Sequence, residues 1–159
     1  MFLNNERKYS ITGKKDNILS KIGNSYNWIG CICEKELEKS KENKWKIKIL
    51  NSQSKCIMIG VAPIDFDINS SLYDYGWYFY CYNSTLYSGP PHNYINKETI
   101  LSEVNDEITI VMNNVKGTLK FIINNQDKGD SYTDIPMDKP LAPVVFLYHP
   151  NDKIEINEI

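Results

Sequence analysis

Apolar and polar residues alternate along much of this chain with a period of two. From Glu107 to Lys128 it reads EITIVMNNVKGTLKFIINNQDK, so that Ile108, Ile110 and Met112 fall on one side of an extended chain and Thr109, Val111 and Asn113 on the other. A second arm, Thr118 to Ile123, carries Leu119, Phe121 and Ile123 on one face, and the two arms predict an antiparallel hairpin. Asn113-Asn114-Val115-Lys116-Gly117 between them, and Asn124-Asn125-Gln126-Asp127-Lys128-Gly129 after them, supply residues that tolerate positive φ, as tight turns require.

The same reading extends to the rest of the chain. Lys44–Leu50 (KWKIKIL) puts Trp45, Ile47 and Ile49 inward and Lys44, Lys46 and Lys48 outward. Trp28–Cys33, Cys56–Ala62 and Leu141–Leu147 are apolar almost throughout and predict strands covered on both faces. Trp77–Tyr82 (WYFYCY) reads as an aromatic strand whose alternate members face opposite sides, so at most half of them can serve one surface. Lys8–Thr12, Asn17–Ile22, Leu86-Tyr87, Ser131–Ile135 and Lys153–Asn157 complete the set. Ser88–Tyr94, with Pro90 and Pro91, is expected to be irregular. Glu34–Lys44 (EKELEKSKENK) has only Leu37 to bury and reads as a solvated excursion. Roughly ten short strands with frequent turns and no long helix predict an all-β fold, a two-layer antiparallel sandwich. No repeat or linker divides it, so residues 1–159 are expected to form a single domain.

Composition narrows the function. Among 159 residues, 18 basic side chains stand against 20 acidic ones, a net charge of −2 that offers no basic field to nucleic acid or an anionic membrane. A protein partner and a monomeric chain are the expectation. The first residues, MFLNNERK, meet charge before any signal-like apolar region forms, and no stretch has the length of a membrane span, which together predict a cytoplasmic protein. Cys31, Cys33, Cys56 and Cys81 lie inside apolar segments without zinc-ligand spacing and are expected as small buried thiols in a reducing compartment.

Candidate chemistry gathers in loops. Ile64–Gly76 (IDFDINSSLYDYG) carries Phe66, Tyr73 and Tyr75 without periodicity, and aromatics on a loop are the anchors that interfaces use. Trp28 and Trp45 are assigned to the core. His92 and His149 each stand beside a proline, and no motif spacing brings either a nucleophile and an orienting acid, so no catalysis is expected. Asp65-x-Asp67-x-Asn69 opens like a calcium loop but has Ser70 at its sixth position and Gly76 at its twelfth, so no metal and no cofactor are expected.

The ordered segments resemble the SPRY domain, the core of the B30.2 family. KWKIKIL resembles its tryptophan-bearing strand, Ile59-Gly60-Val61-Ala62 its Gly-Val-Ala strand, Gly76-Trp77 its Gly-Trp step and Leu86-Tyr87-Ser88-Gly89 its Leu-Tyr-Ser-Gly turn. The stretch from Asn105 to Asn125 resembles its most recognisable hairpin, and Asp134-Ile135-Pro136 with Leu141-Ala142-Pro143-Val144-Val145 closes the pattern. The match is strong from Lys44 to Ile156 and weaker from about Arg7 to Asn43. The resemblance implies a bent, concanavalin-like β-sandwich that binds a protein or peptide through loops at one end, without catalysis. In SPRY proteins that accompany a SOCS box those loops take a short peptide. Tyr73 falls where that subgroup has a pocket tyrosine, Tyr148-His149-Pro150 falls where it has Val-Trp-Gly, and Asn51 lies near a polar pocket position. The expected partner contacts are therefore Asn51, Phe66, Tyr73, Tyr75, Asn93, Tyr148 and His149. A carbohydrate-binding, lectin-like sandwich is the alternative, although Asp65, Asp67 and Asp74 share one loop with no opposed acidic cluster.

Overall fold

The computed structural model describes the backbone of residues 2–3, 9–12, 17–33, 35–67, 75–88, 93–96 and 105–159, and the side chains of 17–33, 35–67, 75–88 and 105–159. The strands are β1 (Phe2–Leu3), β2 (Tyr9–Thr12), β3 (Ile18–Lys21), β4 (Ile29–Cys33), β5 (Glu42–Asn51), β6 (Ile57–Pro63), β7 (Trp77–Tyr80) and β8 (Thr85–Ser88). They continue with β9 (Asn93–Asn96), β10 (Glu107–Asn113), β11 (Thr118–Ile123), β12 (Gln126–Asp127), β13 (Leu141–Leu147) and β14 (Lys153–Glu158). Two antiparallel sheets of seven strands result. The first, sheet A, runs β1-β4-β13-β6-β7-β8-β9, and the second, sheet B, runs β12-β11-β10-β5-β14-β3-β2.

Sheet B keeps the alternation of the sequence. Trp45, Ile47 and Ile49 of β5, Ile108, Ile110 and Met112 of β10, Leu119, Phe121 and Ile123 of β11, and Ile154 and Ile156 of β14 are all buried. Register aligns them into rows such as Ile123, Ile108, Ile47 and Ile156. The other face meets solvent, where Lys46 pairs with Glu107 at 3.0 Å. Sheet A has no such polar face: every residue of β4 and β13 is buried, and β6 is buried through Ala62. One row across it, Cys31, Val145, Ile59, Phe79 and Leu86, points at sheet B, and Phe79 stacks on Phe121 at 5.2 Å. The neighbouring row, Gly30, Phe146, Met58, Tyr80 and Thr85, must point the other way.

The turns follow their chemistry. Asn113 Oδ1 accepts from the backbone nitrogens of Val115 and Lys116, and Gly117 completes that turn at φ +68°. Asn124 and Asn125, at φ +48° and +65°, form the two-residue connection between β11 and β12. Other segments differ from the sequence reading. Asn93 and Tyr94 belong to β9, because paired backbone resumes two residues after Pro91. Ser131–Ile135 is no strand and contributes one isolated bridge, Tyr132 to Leu119. The charged segment is exposed from residue 35 to 41 apart from Leu37, 8 % exposed, whose nitrogen donates to the Leu141 carbonyl, but Glu42–Lys44 are no excursion: they open β5 and pair with β10. The cysteines are reduced thiols. Burial pushes the Cys31 thiol up to about 12, whereas Cys56 is only half-buried.

Gly60 of β6 pairs with Tyr78 of β7, and a Cβ there would run into the Trp77 carbonyl oxygen. Gly60→Ala is therefore expected to lower unfolding free energy by about 3 kcal/mol, since backbone atoms cannot yield as a flexible side chain would. Chemical denaturation of the two proteins measures it, and a loss below about 0.5 kcal/mol would contradict the close approach.

Candidate functional site: an aromatic end of sheet A

The outward row of sheet A is covered over part of its length only. The chain leaving β6 folds back so that Phe66 meets Phe146, with centroids 6.4 Å apart, and Tyr78 meets Phe146 at 5.7 Å, its hydroxyl donating to the Tyr75 carbonyl. Burial pushes the Tyr78 phenol far up. At the opposite end, where β13 finishes and β4 and β6 begin, rings take over. Leu147 pairs with Ile29, which sets Trp28 beside Tyr148 at 5.2 Å. Trp28 meets Tyr80 at 5.7 Å, and Tyr80 in turn meets Tyr82 at 5.8 Å and Tyr87 at 5.9 Å. On the other side Tyr26 touches Tyr148 at 6.5 Å and His149 at 5.4 Å. Tyr26 is 60 % exposed and Tyr82 57 %, so the two ends of this continuous aromatic surface face water.

A buried cation holds one side of it in place. Lys21 extends the inward row of sheet B beyond Leu19 and is 1 % exposed. Its ammonium donates to the carbonyls of Ser25 (2.7 Å), Asn27 (2.8 Å) and Tyr148, and stands 5.8 Å from the Tyr148 ring centroid. One side chain of sheet B thus ties down both connections of sheet A that carry Tyr26, Trp28 and Tyr148. A buried ammonium is tolerable only when its donors are taken up in this way.

The turn after β13 is closed by an acid. Asp152, fully buried, accepts from the backbone nitrogens of His149 (2.9 Å) and Tyr148 (3.3 Å) through Oδ2, while Oδ1 has no hydrogen-bond partner. Burial pushes its carboxyl up, against the pull of those donors and of the nearby Ser52 hydroxyl. Asn51 donates to the Asn151 carbonyl at 2.9 Å and anchors the same turn to β5. His149 Nε2 lies 2.5 Å from Ser54 Oγ, which donates to Cys56 Sγ at 3.0 Å, and the Tyr80 hydroxyl reaches that sulfur at 3.3 Å. The fold therefore gives His149 the serine neighbour that motif spacing did not reveal. Asp152 holds backbone nitrogens, however, and His149 Nδ1 has no partner, so the orienting bond of a Ser-His-Asp relay is not formed.

Of the residues expected at a partner site, Asn51, Tyr148 and His149 come together here. Phe66 and Tyr75 lie toward the other end of sheet A, and Phe66 needs correction as an anchor: it is 8 % exposed, because an aromatic ring leaving β6 gains more by covering the apolar outward row than by facing water. Tyr75 is 52 % exposed and rests on Phe66 at 5.6 Å. Tyr73 and His92 lie outside the described residues, and Asn93 is described in backbone only, on β9. Trp45 is core, whereas Trp28 is only partly buried and joins the aromatic surface. Tyr80, Tyr82 and Lys21 were not foreseen, whereas the stretch Asn24 to Tyr26 falls near a pocket loop of the resembled family. The alternation that sends Tyr80 outward with Tyr78 could have flagged one of them, but nothing local marks Lys21 as buried. Among the described residues no group of three His, Cys, Asp or Glu side chains is placed to hold a metal, and no helix is long and apolar enough to cross a membrane.

No curated protein matches the chain by sequence. The fold has close counterparts among solved structures. The SPRY domain of human HERC1 superposes with a TM-score of 0.73 at 20 % identity, over 95 % of this chain and 92 % of that one. A second human SPRY domain gives 0.75 at 18 %, over 99 % and 96 %, and the TRIM65 PSpry domain 0.66 at 11 %, over 96 % and 86 %. The SPRY domain family profile matches residues 42–158, most of the chain, and SPRY domains are generally protein–protein interaction modules, so that this protein belongs to the SPRY family.

Proposed function

We propose that the chain binds a segment of a partner protein on the aromatic end of sheet A and does so without catalysis. What carries the reading is the joining of two tyrosines more than half exposed, Tyr26 and Tyr82, by half-buried rings on a backbone that Lys21, Asn51 and Asp152 hold. Exposed apolar surface of this kind costs a protein solubility unless it is used. Rings fixed beforehand lose little entropy on binding and supply most of the affinity of an interface. Tyr148 and His149 are read as direct contacts and Asn51 as the residue that positions their turn. Tyr73, Tyr75 and Asn93 are further contacts on the strength of the sequence alone. On the sequence alone the setting is read as intracellular and residues 1–159 as one monomeric unit.

The test is selection of binding peptides from a random display library on the immobilised chain, followed by chemical-shift mapping of the enriched peptides. Shifts are expected at Tyr26, Trp28, Tyr82 and Tyr148; shifts confined to the Phe66–Tyr75 end, or binding only of glycans with calcium, would overturn the reading. Tyr26→Ala and Tyr82→Ala are each expected to weaken the selected peptide about tenfold, about 1.4 kcal/mol, with the melting temperature nearly unchanged. Lys21→Met is expected to behave differently, lowering stability by about 3 kcal/mol together with affinity, because it takes the shared donor away from three part-buried carbonyl bonds. Denaturation and titration on the same samples separate the two classes.

A further inference from the structure

We propose that the partner segment is proline-rich and lies across the aromatic end as a polyproline II helix, an inference that rests on the docking reading and names the chemistry that surface selects. The rings form a ladder of Tyr26, Tyr148, Trp28, Tyr80 and Tyr82, with successive centroids 6.5, 5.2, 5.7 and 5.8 Å apart. Neighbouring planes are tilted by 64°, 58°, 69° and 36°, so the surface is stepped rather than flat. A polyproline II helix rises about 3.1 Å per residue, so that about two residues match each step and about eight match the ladder.

Hydrogen bonding narrows the choice further. The main-chain acceptors of the connections that carry the rings are already engaged. The Lys21 ammonium holds the carbonyls of Ser25, Asn27 and Tyr148, the Asp152 nitrogen holds that of His149, Asn51 holds that of Asn151, and the Lys21 nitrogen holds that of Asp152. The backbone nitrogens of Tyr148 and His149 are taken by the Asp152 carboxylate. An ordinary peptide brings one N–H per residue and would find few acceptors here, so strand addition is not provided for. What the surface does offer is donors. Among the described residues none accepts from the hydroxyls of Tyr26, Tyr82 and Tyr148 or from the Trp28 indole N–H, and none of these four groups is buried. Proline is the complement on both counts, since it has no N–H to satisfy, keeps its carbonyl as an acceptor, and lays an apolar ring on an aromatic one.

Charge excludes the other recognition modes. The connections that frame the ladder, residues 22–28, 51–56, 81–84 and 148–152, contain no arginine and one lysine, Lys55, so the cationic cluster that holds an acidic or phosphorylated motif is not built. Their one carboxylate, Asp152, is fully buried in its own turn, so a basic segment meets no accessible anion there. A neutral segment that is rich in acceptors and poor in donors is what remains.

The experiment titrates the full chain with a fluorescent decaproline peptide, with ten-residue glycine–serine and aspartate–serine peptides as controls, following anisotropy and NMR shifts. Decaproline is expected to bind at least about tenfold more tightly than either control. The shifts should fall on the five rings, and the Trp28 indole proton should move downfield as it gains a carbonyl acceptor. Tyr82→Phe and Tyr26→Phe keep each ring and remove its donor, and each should weaken decaproline about threefold with the melting temperature unchanged. Decaproline that binds no better than the glycine–serine peptide, that binds away from the five rings, or that loses nothing in both phenylalanine variants overturns the inference, as does an aspartate–serine peptide that binds the rings more tightly. Display-selected peptides that dock on the rings without enrichment in proline also overturn it and leave the docking reading in place. If neither decaproline nor any selected peptide reaches the rings, both fall.

Discussion

Everything in this molecule depends on a sheet that has to be buried on both faces. Sheet B is an ordinary amphipathic sheet, with one row of side chains for the core and one for water. The central strands of sheet A have no row for water, since β4 and β13 are buried throughout. One of its faces is satisfied by sheet B, through contacts such as Phe79 on Phe121. The other needs a cover of its own, and among the described residues no third sheet supplies it. The chain after β6 provides part of it with Phe66 against Phe146, which Tyr78 also meets. Where that cover ends, aromatic side chains of sheet A and its connections take its place. Large rings with polar tips suit a boundary between apolar interior and water.

That boundary is where binding chemistry and structural chemistry meet. Tyr148 is touched by Trp28, Tyr26 and His149, and its carbonyl is taken by the Lys21 ammonium. The surface is thus not a set of flexible loops that happen to be aromatic. Its members are cross-braced, partly by ring contacts and partly by a cation reaching over from the opposite sheet. Tyr132 makes a comparable link elsewhere, its hydroxyl 2.8 Å from the carbonyls of both Tyr78 and Tyr87. Sheet-to-sheet ties of this sort let an exposed ring keep its orientation without being buried.

The polar network beneath the rings shows how close a binding surface can come to other chemistry. Ser54, His149 and Asp152 are the residue types of a hydrolytic relay, and Cys56 stands next to them. What separates the arrangement from a relay is one bond: the carboxylate closes its own turn instead of orienting the imidazole. The acid that could have served catalysis fixes the backbone of Tyr148 and His149.

The hairpin of β10 and β11 was legible to the residue, because alternation over six positions and asparagine-rich turns leave a single register that buries one face. The inward face of β5 was legible in the same way, where three lysines alternate with Trp45, Ile47 and Ile49, although the strand begins at Glu42 inside the charged segment. Continuous apolar runs announced β4, β6 and β13 and even that both their faces are covered, but not by what. Phe66 looked like an anchor because a loop aromatic has no periodicity to declare its side; the uncovered outward row of sheet A chose for it. Trp28 looked like core because a local apolar run cannot show that its first residue stands at a rim. Local pattern thus carried strand identity and the pairing of the one hairpin, since these depend on residues close along the chain. The assembly of Lys21, Trp28, Asn51, Tyr80 and Tyr148 into one surface depends on which strand ends meet, and that is settled by contacts between residues separated by most of the chain's length, which no periodicity along it encodes.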